Sequence, residues 1–134
     1  MTDEGKLQIS LALIRISMGL FFLVWSIEKI IAPELTQRVF QRFYFLEINP
    51  TASVILGIIQ TLIVLMFMLG LFKTLSYGAL LGMHTVSVLS TYQQILNPYQ
   101  PPNHMFWAAV PVLAALVALF ILRHEDRLFT IRLG

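Results

Sequence analysis

The sequence contains no cysteine and little charge. Without cysteine it can form no disulfide, and it offers no thiol nucleophile and no thiolate ligand for a metal or an iron–sulfur cluster. Charged residues make up 12% of the chain, whereas soluble domains carry about 25%. Hydrophobic residues make up 57%. These proportions favour a protein whose main solvent is the lipid bilayer.

The length of 134 residues leaves little room outside a membrane. Each membrane-spanning helix uses about 20 residues, so four helices would use roughly 80. We therefore predict one membrane domain over residues 1–134 and exclude a large catalytic domain outside the bilayer. The net charge of +2 is scattered along the chain and gives no basis for nucleic-acid binding.

Four long apolar stretches predict four membrane spans. They cover about residues 7–31, 51–72, 75–95 and 105–122. Asn49 followed by Pro50 is a start signal for the second helix. The proline-rich segment 97–103 cannot continue a helix and separates the last two spans. The predicted fold is an all-α, integral membrane four-helix bundle.

A different pattern joins the first two spans. Between residues 33 and 47, Leu35, Val39, Phe43 and Leu46 recur at helical spacing among glutamines and arginines. This pattern is typical of a short amphipathic helix that lies in the membrane interface. A connecting helix that caps one end of the bundle would show the same pattern, and both interpretations stay open.

The distribution of lysine and arginine predicts the orientation. Basic residues are enriched on the cytoplasmic side of membrane proteins. The side that holds both termini and the second connection carries five of them, and the opposite side carries three. The five are Lys6, Lys73, Arg123, Arg127 and Arg132, and the three are Lys29, Arg38 and Arg42. Both termini are predicted to face the cytoplasm.

Three polar residues interrupt the apolar stretches near their middles. Arg15, Gln60 and His84 lie in the first, second and third spans, where antiparallel helices would place them at similar depth in one pocket. An arginine in hydrocarbon costs roughly 2.5–3.5 kcal/mol on insertion scales. The sequence places no carboxylate at this depth. We therefore expect Arg15 either to staple helices through carbonyls and Gln60 or to contact a ligand with a carbonyl or anionic group.

The same residues argue against several membrane chemistries. His104 and His124 lie at opposite ends of the bundle, so neither matches His84 as a second haem ligand. The Glu-x-x-His pairs of di-iron bundles are absent. We predict no metal site and identify no self-contained catalytic or redox centre.

Small residues on the last two spans predict close helix packing. Gly78 and Gly82 form a small-xxx-small motif on the third span, and Ala114 and Ala118 repeat this spacing on the fourth. Such motifs let helix backbones approach closely in membranes. We interpret all four residues as packing positions.

The first span carries a motif that resembles a known family. Arg15, Gly19, Phe22 and Lys29 follow the spacing Arg-x3-Gly-x2-Phe-x6-Lys, which places them on one helix face. This resembles the opening signature of the DoxX family, small four-helix proteins of bacterial membranes. The resemblance implies a location in the bacterial cytoplasmic membrane and partnership with quinones or redox enzymes.

Three functions remain open at this point. The first is a subunit of a membrane oxidoreductase system that binds a quinone head group near Arg15, Gly19, Phe22, Gln60 and His84, with electrons supplied by a partner enzyme. The second is a structural accessory subunit that anchors a larger membrane complex. The third is a small transporter for an anionic or lipophilic solute, which four spans would perform as a homo-oligomer.

Overall fold

The chain folds into helices joined by short turns. A computed structural model describes residues 1–131, which form six α-helices and no strand. The helices are α1 (Asp3–Ile31), α2 (Pro33–Val39), α3 (Pro50–Leu69), α4 (Lys73–Ser90), α5 (Tyr92–Leu96) and α6 (Ala109–Ile121). A π-helical turn, Phe40–Tyr44, follows α2, and a 3₁₀ helix, Asn103–Ala108, precedes α6. The all-α prediction is confirmed. Arg132, which enters the orientation prediction, lies outside the described residues.

Three helical segments are long and apolar enough to cross a membrane. They are Asp3–Ile31, Pro50–Leu69 and Asn103–Ile121, which correspond to the first, second and fourth predicted spans. Helix α4 lies at the third predicted span and has 18 residues, but it is less apolar because Lys73, Tyr77, His84 and several hydroxyl residues interrupt its aliphatic side chains. The three apolar segments suggest an integral membrane protein.

Local sequence sets the ends of the long helices. The Thr2 side chain caps α1 by accepting the Gly5 backbone N–H at 3.0 Å. The Asn49 side chain caps α3 in the same way, through the Ala52 N–H at 2.7 Å. Helix α3 ends at Leu69 and is capped by Gly70, whose φ of 68° lies in the left-handed region. The second helix is therefore shorter than the predicted 51–72.

Replacing Gly70 is expected to destabilise the fold. A side chain at φ 68° is strained, and a Cβ there would lie 2.6 Å from Cγ2 of Thr130. The left-handed conformation alone costs about 1–2 kcal/mol in a residue with a Cβ. We expect Gly70→Ala to lower the unfolding free energy by at least that amount in a denaturant titration. The double variant Gly70→Ala/Thr130→Ala should recover only the part of the lost unfolding free energy that comes from the clash with Thr130. Full recovery would contradict a contribution from backbone strain at Gly70.

The helices pack as two antiparallel pairs, α1 with α3 and α4 with α6, and α3 contacts α4. Their shared core is formed by buried side chains from four helices. These are Leu11, Met18 and Phe22 of α1, Val64 and Phe67 of α3, Tyr77 and Leu80 of α4, and Leu116 and Leu119 of α6.

Two hydrogen bonds fix the register of α1 against α3. Near one end, Ser53 Oγ donates to the Lys29 carbonyl at 2.8 Å. Near the other, Arg15 Nε donates to the Met68 carbonyl at 3.0 Å. Helix α3 ends one residue after Met68, whereas the part of α1 before Arg15 continues for about 18 Å. Arg15 thus lies level with the end of α3. Because the first turns of α1 project beyond its neighbour, Arg15 does not share the level of Gln60 in the middle of α3, as the sequence analysis expected.

The segment between α1 and α3 is helical over residues 33–44 and ends at Phe45, which has a φ of 55°. It is thus slightly shorter than predicted. The Phe43 ring packs against Phe106 with centroids 6.1 Å apart. Leu35, Val39 and Leu46 are exposed. The segment therefore touches the end of the bundle and also presents apolar side chains outward.

The four predicted packing residues occupy different environments. A Cβ on Gly78 would lie 3.3 Å from the Phe120 ring, so this glycine sits in the contact between α4 and α6. A Cβ on Gly82 would have no neighbour within 4 Å. Ala114 and Ala118 are exposed. The structure thus places Gly78 in a contact between helices, and a packing role for Gly82, Ala114 and Ala118 stays a prediction, as does a homo-oligomer.

Candidate functional site

Arg15 is fully buried, with 0% of its surface exposed, and every guanidinium nitrogen has an acceptor. Nη1 forms an ion pair with the Asp126 carboxylate. Nε donates to the Met68 carbonyl at 3.0 Å, and Nη2 donates to the carbonyls of Leu128 at 2.6 Å and Phe129 at 3.3 Å. The acceptors of Arg15 therefore come from the chain itself. The sequence analysis had left open whether Arg15 joins helices or contacts a ligand.

Asp126 joins Arg15 to helix α4. One carboxylate oxygen accepts from Arg15, and the other accepts from the Tyr77 hydroxyl at 2.6 Å. Its backbone carbonyl accepts from Lys73 Nζ. Lys73 and Tyr77 are four residues apart on α4 and so share a face. All four side chains are buried, and we call Arg15, Lys73, Tyr77 and Asp126 the polar cluster.

The carboxylate beside Arg15 corrects the sequence analysis, which expected none at this depth. Asp126 lies in the charged run that follows the fourth span and would ordinarily remain in water. Instead, the chain turns back after Leu122, and residues 123–131, here called the C-terminal strap, fold over the end of the bundle. A buried arginine needs a counter-ion, because an isolated charge is very costly in a low-dielectric interior.

The strap is bound to both α1 and α3. The Gln8 side chain accepts the backbone N–H of Arg127 at 2.9 Å, and the Arg127 guanidinium pairs with Glu4. The Ile131 N–H donates to the Leu69 carbonyl at 2.8 Å. These contacts place both ends of the described chain at the same end of the bundle.

Phe22 and His84 meet in the bundle interior, away from the polar cluster. Their rings pack edge to face with centroids 5.5 Å apart. His84 Nε2 lies 2.8 Å from the Ala109 carbonyl oxygen. Since a carbonyl only accepts hydrogen bonds, Nε2 carries the proton. The imidazole is thus held between α1 and α6.

The structure does not bring Arg15, Gln60 and His84 into one pocket, as the sequence analysis expected. His84 lies eleven residues after Lys73, about 16 Å along α4. Gln60 is half-buried and shares no hydrogen bond with Arg15 or His84 within residues 1–131. The reason is the register of α1, which carries Arg15 to the end of the bundle. A role of these residues in ligand binding stays a prediction.

The motif residues of the first span do share a face. Arg15, Gly19 and Phe22 are all among the buried residues of α1. A Cβ on Gly19 would lie 2.1 Å from Met68 Cγ, so the Met68 side chain of the neighbouring helix α3 occupies the space beside Gly19. Lys29 is half-buried, and its backbone carbonyl binds Ser53.

A cleft of about 210 Å³ lies at the end of the bundle opposite the polar cluster. It is lined by Gln37, Gln41, Glu47 and Ile48, so it includes none of the residues predicted to bind a ligand. Within residues 1–131, no group of three or more histidine, aspartate or glutamate side chains is placed to hold a metal ion.

Comparison with known proteins identifies no relative. No family model matches the chain, and neither a curated protein nor a solved structure matches it. Functional interpretation therefore rests on the residues themselves.

Sequence reasoning missed Lys73, Tyr77 and Asp126. One signal was available: an arginine within an apolar stretch pairs with another ionisable group or with backbone carbonyls, and Asp126 is one of two carboxylates in the run that follows the last span. The spacing of Lys73 and Tyr77 by four residues at the start of a span was a second signal.

The bond from Tyr77 to Asp126 should contribute measurably to stability. A hydrogen bond to a charged group contributes about 1.5–3 kcal/mol. We expect Tyr77→Phe to lower the unfolding free energy by that amount in a denaturant titration of the detergent-solubilised protein. Tyr99→Phe, at a position that is 88% exposed, is the matched control and should have no effect. Equal losses of stability in the two variants would contradict a stabilising hydrogen bond from Tyr77 to Asp126.

Proposed function

We propose that this chain is an integral membrane protein of the DoxX type and a non-catalytic accessory subunit of a membrane oxidoreductase system. The observation that supports this proposal is the set of hydrogen-bond partners of Arg15. Its donors are bound to Asp126 and to backbone carbonyls, so the residue joins α1, α3 and the strap. That arrangement supports a structural role and weakens the transporter alternative, in which Arg15 supplied the binding charge.

The proposed topology has four spans with both termini on the cytoplasmic side. Asp126 pairs with Arg15, and Arg127 pairs with Glu4, so the two ends of the described chain lie at one end of the bundle, which supports their placement on one side of the bilayer. Such a chain crosses the membrane an even number of times. The three apolar segments give an odd number, and α4 would supply the remaining crossing. The exposed aliphatic side chains of α3, including Ile55, Leu62 and Leu69, would contact lipid.

Membrane integration is tested by alkaline carbonate extraction of membranes that contain the full chain. An integral protein stays with the bilayer when peripheral proteins are removed, so we expect the chain in the pellet. Its release into the supernatant would refute the membrane proposal.

The subunit role is tested by affinity purification from the native host in mild detergent and in lipid nanodiscs. We expect an oxidoreductase at a fixed ratio to the tagged chain. Ala118→Phe, on the exposed face of α6, should reduce its recovery, because small exposed residues are where a partner helix can approach closely. Leu62→Phe, on the exposed aliphatic face of α3, is the matched control. Absence of any stoichiometric protein under both extraction conditions would refute the role.

The contact between Phe22 and His84 favours a second candidate, quinone binding in the bundle interior. It pairs a buried aromatic ring with a buried imidazole, and these groups suit the flat ring and the carbonyl oxygens of a quinone head group. The test is the quinone content of the purified protein. We expect at least a ten-fold loss in His84→Leu and none in His104→Leu, whose side chain is exposed. Equal quinone content in all three proteins would remove this candidate.

A further inference from the structure

Three polar side chains of α4, those of Lys73, Tyr77 and His84, are hydrogen-bonded to groups outside the helix. Lys73 donates to the backbone carbonyl of Asp126, and Tyr77 donates to its carboxylate. His84 donates to the carbonyl of Ala109. Ala109 begins α6, and Asp126 lies in the strap that follows it. The hairpin partner of α4 therefore supplies the acceptors for its most polar side chains.

These bonds matter because, among the long helices of residues 1–131, α4 is the one that does not qualify as a membrane span by its own composition. A polar group without a partner in hydrocarbon is costly, and ionisable groups are the most costly of all. Lipid alone would therefore hold α4 less firmly than the three apolar segments. Contacts with neighbouring segments must therefore help to keep α4 across the membrane.

The strap reaches α4 through Asp126, and Asp126 is itself held by Arg15. The ion pair is fully buried, with 0% exposure of both side chains. Tyr77 binds the second oxygen of the same carboxylate at 2.6 Å. Loss of the carboxylate therefore frees the Tyr77 hydroxyl and leaves the Arg15 charge unpaired at the same end of the bundle.

We propose that α4 is a conditional membrane span, retained across the bilayer by the ion pair between Arg15 and Asp126. The inference rests on the proposed membrane location. When the pair is broken, α4 remains on the side on which it begins, and α6 then crosses in the opposite direction. The connector 97–103 changes sides as a result. This connector carries no charged residue, so no charge opposes its transfer in either direction.

The chain has no cysteine, so single introduced cysteines can report the topology in intact cells. Tyr99→Cys marks the connector between α4 and α6, and Phe45→Cys marks the connection before α3; the native side chains are 88% and 87% exposed. An impermeant maleimide is added before or after permeabilisation, and labelling is expressed as a ratio of the two. This ratio is independent of how much protein survives.

With the ion pair intact, we expect the two positions to label to similar extents before permeabilisation. Adding Asp126→Asn should lower the ratio at least five-fold for Tyr99→Cys and leave Phe45→Cys unchanged. Glu125→Gln, at the exposed neighbouring carboxylate, is the matched control and should change neither. Tyr77→Phe, a milder change on α4, should lower the Tyr99→Cys ratio about two-fold and serves where Asp126→Asn is degraded.

Two results would overturn the proposal. One is that Tyr99→Cys and Phe45→Cys label to similar extents in both Asp126→Asn and Tyr77→Phe. The other is a wild-type background in which Tyr99→Cys labels only after permeabilisation whereas Phe45→Cys labels before it, since α4 would then not cross with the pair intact. Failure of the membrane proposal is distinguishable, because the unsubstituted chain would then be released by carbonate.

Discussion

Asp126→Asn is expected to lower the free energy of unfolding by about 3–5 kcal/mol, the cost of breaking a buried ion pair from one side. The substitution leaves the Arg15 guanidinium buried without a counter-ion, and both side chains have 0% exposure in the folded chain. It also replaces the charged acceptor of the Tyr77 hydroxyl. A denaturant titration of the protein in detergent measures the change.

The charge itself, rather than the size of the side chain, should produce this loss. Glu125→Gln removes the neighbouring carboxylate, which is exposed, and should have little effect. The double variant Arg15→Met/Asp126→Leu removes both charges together. It should be substantially more stable than Asp126→Asn, because apolar replacement of a whole buried pair is often neutral. A double variant as unstable as the single one would show that the hydrogen-bond geometry, not the unpaired charge, sets the cost.

Gly57→Ala is expected to cost about 1–3 kcal/mol, as overpacking does in a well-packed interior. Gly57 lies at the crossing of α3 and α1. A Cβ there would lie 2.7 Å from Ile30 Cγ1, 2.9 Å from Lys29 Cβ and 2.9 Å from the Ser26 carbonyl oxygen. Because the last of these atoms belongs to the backbone, a change of side-chain rotamer cannot relieve the contact. The two helices must separate, and the hydrogen bond from Ser53 to Lys29 would be strained with them.

Gly82→Ala is the matched control for this prediction. A Cβ at Gly82 meets no atom within 4 Å, and alanine is favoured over glycine in a helix by about 0.8–1.0 kcal/mol. The variant should therefore be as stable as the wild type or slightly more so. Thermal unfolding in detergent compares the two directly. Equal destabilisation at both positions would point to a general effect of substituting glycine and not to the close approach at Gly57.

The sequence is sufficient for the helical class and for some helix ends, such as the start of α3, because those features depend on short-range physics. The cap at Asn49 needs only the residues that follow it, and the buried face shared by Arg15, Gly19 and Phe22 needs only a period of 3.6 residues. Low charge and long apolar runs likewise predicted four membrane spans, and three helical segments within residues 1–131 are long and apolar enough to cross a membrane.

Pairings between distant residues could not be read in this way. The ion pair of Arg15 with Asp126 spans 111 positions, and nothing local to either residue specifies it. The extension of α1 beyond α3 depends on the register set by two side-chain bonds. A shift in that register moved Arg15 from the expected depth to the end of the bundle and separated it from His84.

The sequence by itself thus determined that the chain is helical and apolar, and which face of its first helix is buried. Only the tertiary structure decided where the buried charge lies and what neutralises it. The physical reason is that hydrophobic periodicity is a property of neighbouring residues, whereas burial of a charge depends on whichever distant group the packed helices bring to it.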